Sequence, residues 1–108
     1  MTERRTAGEL AEAVQEAVLG TPGVACLRPG IADLLRVSTS LTRRSSAVRV
    51  TRDKGAAAWH AEIHVVLRRG HRSVDVTREV RAAVTEALLR LTGESRPPRV
   101  TVTVTGRV

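Results

Sequence analysis

The stretch from Trp59 to Gly106 constrains the fold most, because its apolar spacing switches from period 2 to period 3.6 and back. Trp59, Ala61, Ile63, Val65 and Leu67 alternate with His60, Glu62 and His64, the pattern of a half-buried strand over 59–67. Arg68-Arg69-Gly70 ends it, glycine being free to take a positive φ at a sharp exit. From Ser73 to Thr92 the apolar residues Val76, Val80, Ala83, Val84, Ala87, Leu88 and Leu91 recur at helical spacing and form a broad stripe. Ser73 or Asp75 can cap the first turn, and Gly93 stands where a helix-ending glycine belongs. Pro97-Pro98 forbid helix, and Val100, Val102 and Val104 alternate with threonines in a last strand. A helix of this length joining two strands predicts a parallel pair with a right-handed crossover.

The remaining chain supplies the other elements. Residues 1–5 are expected to be a frayed, charged end. Thr6-Ala7-Gly8-Glu9 fits a capping box, and Leu10, Val14, Ala17 and Val18 predict a helix over Ala7–Leu19 that Gly20 closes. After the turn at Thr21-Pro22-Gly23, Val24 to Arg28 reads as a short strand ended by Pro29-Gly30. Ile31 to Leu35 fits either a helical turn or a bent strand, and Ser38 to Ser46 has a loop composition. Val48 and Val50 alternate with polar residues in a strand over Ala47–Thr51, and Asp53-Lys54-Gly55 turns it into a hairpin with 59–67. The expected fold is α+β: a two-layer sandwich of order α-β-β-β-α-β. One mixed sheet carries both helices on one face and leaves the other face open. A chain of 108 residues makes this one domain, 1–108, and Trp59 is its sole aromatic, so the core must be built from Val, Leu, Ala and Ile.

Chemistry by side-chain grouping has little support. His60, Glu62 and His64 share a strand face, roughly 7 Å between same-face neighbours. Such side chains point in parallel rather than converging on a metal, and no HExxH or CxxC spacing accompanies them. His71, beside Arg72, reads as a solvent-facing loop residue. Cys26 has no evident base near it and reads as core packing; as the only cysteine it excludes an internal disulfide and suits a reducing compartment. Ser45-Ser46 lack a nucleophile elbow, and the glycines fall singly, without a phosphate-binding loop. No cofactor, metal or catalytic residue is therefore expected, and the chain is read as not an enzyme. No apolar run approaches the roughly 18 residues of a membrane span and no signal-peptide core is present, so a cytoplasmic location is expected.

Basic clustering is the strongest remaining feature. The formal net charge is +7 and comes almost entirely from arginine. The candidates for facing an anion or a partner are Arg43, Arg44, Arg49, Arg52 and Lys54 in the middle segment, with Arg68, Arg69 and Arg72 at the strand end. Arg96, Arg99 and Arg107 add charge near the last strand. A solvated surface is the plain alternative. A nucleic-acid module is a further one, although a lone tryptophan turned to the core offers no stacking platform.

The C-terminal half resembles the alkaline shock (envelope stress response) protein family of Gram-positive bacteria. The resemblance is carried by the strand Ile63-His64-Val65-Val66-Leu67 running into Gly70, and by the helix with Val76, Val80 and Val84. Thr92-Gly93 follow, then Val100-Thr101-Val102-Thr103-Val104 and the terminal Gly106-Arg107-Val108. Thr21-Pro22-Gly23-Val24 resembles the family's exit from a helix into a strand, whereas 36–58 matches poorly. The chain departs at Thr101, where asparagine is common, and at Arg69, where an aromatic often precedes the glycine. The resemblance implies a small, non-enzymatic cytoplasmic protein linked to cell-envelope homeostasis. It would lie peripherally at the inner face of the membrane, docked on a small membrane-anchored partner or self-associated as a homo-oligomer.

Overall fold

The computed structural model describes residues 7–28, 47–53, 58–94 and 96–108. Helix α1 spans Ala7–Leu19, followed by strands β1 (Val24–Leu27), β2 (Val48–Asp53) and β3 (Ala58–Leu67), helix α2 (Ser73–Thr92) and strand β4 (Arg99–Arg107). The order α-β-β-β-α-β is the expected one. The Thr6 cap, the 31–35 segment, the Ser/Thr-rich 38–46 segment and the 54–55 turn lie outside the described residues.

Strand β3 organises the sheet. It pairs antiparallel with β1 and β2 along one side and parallel with β4 along the other. The sheet is therefore mixed, and β3–α2–β4 forms the parallel crossover unit that the 2–3.6–2 periodicity predicts. Its alternation is obeyed: Ala61, Ile63, Val65 and Leu67 are buried. They pack with Val24, Val48 and Val50 of the flanking strands against Leu10, Val14 and Val18 of α1 and Val76, Val80, Val84 and Leu88 of α2. Both helices cover this face, α1 lying over the β1–β2 side and α2 over β3 and β4. A core without Phe or Tyr is thus filled by interdigitated Val, Leu and Ile, whose preferred rotamers are few.

The helix ends follow local chemistry. Gly20 and Thr21 close α1 through N–H bonds to the Glu16 and Val18 carbonyls (3.1 and 3.0 Å), and the Thr21 hydroxyl donates to Ala17 (3.1 Å). Gly93 ends α2 in the left-handed region (φ 71°), its N–H donating to the Leu89 carbonyl. The start of α2 corrects the sequence reading. Neither Ser73 nor Asp75 caps it; the N-cap is Arg72, in extended conformation, and no side chain caps the first turn. Ser73 already sits inside the helix, where its hydroxyl accepts from Arg107 instead.

Three details depart from a simple alternating sheet. Ala25 bulges β1, so Val24 registers on Leu67 but Cys26 registers on Val66. Cys26 is consequently half-buried on the far face rather than packed in the core. A second irregularity lets β4 pass from Val104, opposite Val65, to Gly106, opposite Val66. The intervening Thr105 hydroxyl lies 2.9 Å from the Arg28 carbonyl and 3.3 Å from the Val65 carbonyl. Arg28 follows β1 and Thr105 lies within β4, on opposite sides of β3, so this contact bridges the sheet beside Val66. Val66 points away from the helices yet is 1% exposed, and His60, Glu62 and His64 on the same face are half-buried. The far face is therefore less open than the alternation suggests.

The third detail concerns the β1–β2 side. The Arg28 N–H donates to the His64 carbonyl (3.2 Å), and the His64 N–H donates to the Ala47 carbonyl (2.9 Å). In an antiparallel ladder a single residue facing His64 would make both bonds. Arg28 and Ala47 share that position, with Leu27 opposite Val65 and Val48 opposite Ile63. β1 and β2 thus form one collinear edge.

Candidate functional site

The sequence singled out eight basic residues. Arg43, Arg44 and Lys54 lie outside the described residues, and the remaining five do not form one patch. Arg49 is exposed on the far face, registered opposite Glu62. Arg52 registers opposite Trp59 at the start of β3, whereas Arg68, Arg69 and Arg72 follow its end. The eight-residue separation along an extended strand is about 26 Å, too far for one ligand contact.

Arg52 is held by the protein itself. Its guanidinium lies 5.2 Å from the centroid of the Trp59 ring and forms a 2.9 Å ion pair with Glu94 at the end of α2. Trp59 packs against the edge of the core, with its Nε1 buried and without a hydrogen-bond partner among the described residues. The stack and the half-exposed ion pair are each worth up to about 1 kcal/mol. Arg52→Ala should therefore cost about 1 kcal/mol in a denaturant melt and shift the emission of Trp59, the only fluorophore of its kind in the chain. An unchanged spectrum would contradict the stacked geometry.

The opposite end of the sheet is the exposed basic surface. Arg68, Arg69, His71 and Arg72 are all exposed in the turn between β3 and α2. Arg107 joins them, because the parallel register sets it opposite Leu67. Its guanidinium donates to the His71 carbonyl (3.0 Å) and to the Ser73 hydroxyl, and the Arg69 N–H donates to the Val108 carbonyl (2.6 Å). The Arg68 N–H donates to the Gly23 carbonyl (2.8 Å), tying the turn to the helix exit. Sequence reading placed Arg107 with Arg96 and Arg99; only the strand register brings it to residues 68–72. Between Arg68 and Arg78 the sole acidic residue is Asp75. These backbone ties fix the turn while leaving the Arg68, Arg69 and Arg72 side chains to solvent, an arrangement that suits an anionic surface.

Among the described residues no group of three or more His, Cys, Asp or Glu could hold a metal ion. His60, Glu62 and His64 share their face as expected, and the His60 ring lies 3.2 Å from the Thr101 hydroxyl on β4. No described helix is long and apolar enough to cross a membrane.

Among the described residues, fold and surface together define a two-layer α+β arrangement with a mixed sheet, two helices on one face and a basic end. No family model, curated protein or solved structure matches the chain.

Proposed function

We propose that this protein is a non-catalytic scaffold of the envelope-stress type, acting through self-association or by docking on a small membrane-anchored partner. The observation that carries this reading is the β3–α2–β4 unit. The segment bearing the family resemblance folds as one continuous piece, with β4 parallel to β3 from His60 through Leu67. Its turn presents the exposed arginines. Fractionation of native-host cells, with a pulldown on the full chain, tests it. Recovery with membranes through a protein partner is expected, and a wholly soluble, partner-free monomer under all conditions would sink it.

The basic end supplies a second check. Arg68→Ala with Arg69→Ala should weaken binding to anionic vesicles about thirtyfold, and less at high salt, since each basic residue near an anionic leaflet is worth on the order of 1 kcal/mol. The melting temperature should hold, because both side chains are exposed and their backbone bonds remain. Vesicle binding equal to the parent at every salt concentration would retire the patch.

Nucleic-acid binding is the alternative that the same arginines favour. Phosphate-driven binding must fall steeply as salt rises. Trp59 packs against the core rather than offering a stacking surface, which weighs against single strands. A salt titration with a duplex and a single strand decides between the readings, and no binding at low salt removes this one.

A further inference from the structure

Among the described residues, strand β4 is an edge whose peptide groups are set for pairing. Successive peptide groups of a strand point to alternate sides. His64 bonds toward the β1–β2 side through both its N–H and its carbonyl, so Ile63 and Val65 turn theirs toward β4. Ile63 registers on Val102, and a parallel ladder then uses the peptide groups of Thr101 and Thr103. Those of Val100, Val102 and Val104 face outward. Arg81 of α2 marks that side, its Nε donating to the Val100 carbonyl at 3.4 Å. Among the described residues no other strand pairs with β4.

The two edges of the sheet differ in protection. β2 carries Arg49 and Arg52, the charged kind of edge that resists further strands. β4 has nine residues and no charge between Arg99 and Arg107. Its β-branched Val and Thr residues strongly favour extended pairing. Val100 and Val102 are only half-buried on the helix side, and Val104 is 38% exposed there.

We propose that β4 is a self-pairing edge, and that a second copy of this chain docks on it antiparallel about Val102. This deepens the scaffold reading, on which it rests, by naming the surface of self-association. Centred on Val102, Val100 faces Val104 of the second copy and Val102 faces itself, each pair exchanging both bonds, about six in all. Valines then meet valines on the helix side, and Thr101 meets Thr103 on the other, the like-with-like contacts that stabilise cross-strand pairs. Arg99 falls opposite Thr105, and Arg107 opposite Pro97. A shift to Thr103 as centre would set Arg99 against Arg107 at both ends and leave fewer outward groups matched. The Arg81 contact need not break, because a carbonyl has a second lone pair. With +7 on each copy, association must strengthen as salt screens the repulsion, opposite to phosphate-driven binding.

Sedimentation of the full chain over a wide concentration range, at low and high salt, tests the proposal. A dimer that grows with concentration and with salt is expected. Val104→Pro removes an outward N–H that the monomer ladder does not use, and Val104→Lys buries a charge at the seam. Each should weaken the dimer at least about tenfold. Thr51→Lys, on the β2 edge, should leave it intact. If Val104→Pro fails to fold, Val104→Lys and amide exchange decide in its place, with the Val100, Val102 and Val104 amides slowing as concentration rises. A monomer at every concentration and salt overturns the proposal, and so does a dimer indifferent to the Val104 changes. A monomer that still reaches membranes through a partner overturns the self-pairing edge alone and leaves the scaffold reading standing.

Discussion

Gly23→Ala is expected to destabilise the protein by about 2–5 kcal/mol. Gly23 is buried at the exit of α1 with φ +93°, a region that costs an L-residue roughly 1–2 kcal/mol. A Cβ there would also stand 2.6 Å from Val76 Cγ2 and 3.0 Å from the His71 ring. Val76 is 3% exposed in the core side of α2, so it has little room to yield, and overpacking of this kind adds about 1–3 kcal/mol. The backbone cannot simply retreat, because the Gly23 carbonyl accepts the Arg68 N–H at 2.8 Å. Gly70→Ala is the matched control: its φ is +92°, but nothing lies within 4 Å of a Cβ. It should lose only the conformational part, about 1–2 kcal/mol. Urea melts followed by Trp59 emission and by far-UV circular dichroism measure both. Equal losses at the two positions would mean that the turn does not press on α2.

Leu88→Ala carries the second large effect, a loss of about 2–5 kcal/mol. Leu88 is 1% exposed and belongs to the cluster in which α1, α2 and the sheet meet. The cavity left behind would lie in a cluster rich in valine, a residue stiff about χ1 that collapses poorly into a void. Arg78 is exposed on the same helix, and Arg78→Ala should stay within roughly 0.5 kcal/mol of the parent. Similar losses for Leu88→Ala and Arg78→Ala would mean that α2 is rotated from the phase described.

The contrast between these positions also shows which parts of the molecule the sequence made legible. Periodicity placed α1 and α2 at the bounds the structure shows and put Leu10, Val14, Val18, Val80 and Leu88 in the core, because burial imposes its own spacing. The parallel β3–β4 pairing followed from the length of the helix between them. What periodicity missed were contacts decided by register. Nothing local reveals that Ala25 and Thr105 are extra residues in their strands, so Cys26 and Arg107 came out on the face opposite to the one a regular alternation gives. The cap of α2 was misread for a related reason: Ser73 could bond the helix start, but Arg107, distant in sequence, occupies its hydroxyl. The basic surface was legible as composition and not as geometry. Arg52 and Arg68 are comparable arginines in the sequence, yet one is stacked on Trp59 and paired with Glu94 while the other faces solvent.

The ladder position shared by Arg28 and Ala47 opposite His64 decouples chain length from strand alignment. A strand that gains or loses one residue normally turns its whole pattern over, sending core side chains to the wrong face. Here Leu27 and Val48 stay two ladder steps apart whatever number of residues stands between Arg28 and Ala47, since those two supply one N–H and one carbonyl between them. Among the described residues, the register of Leu27 and Val48 does not depend on the length of that connection, and loop-closure entropy changes only with the logarithm of the number added. Alignment of the two strands is thus set by β3 at His64 and not by the chain that connects them.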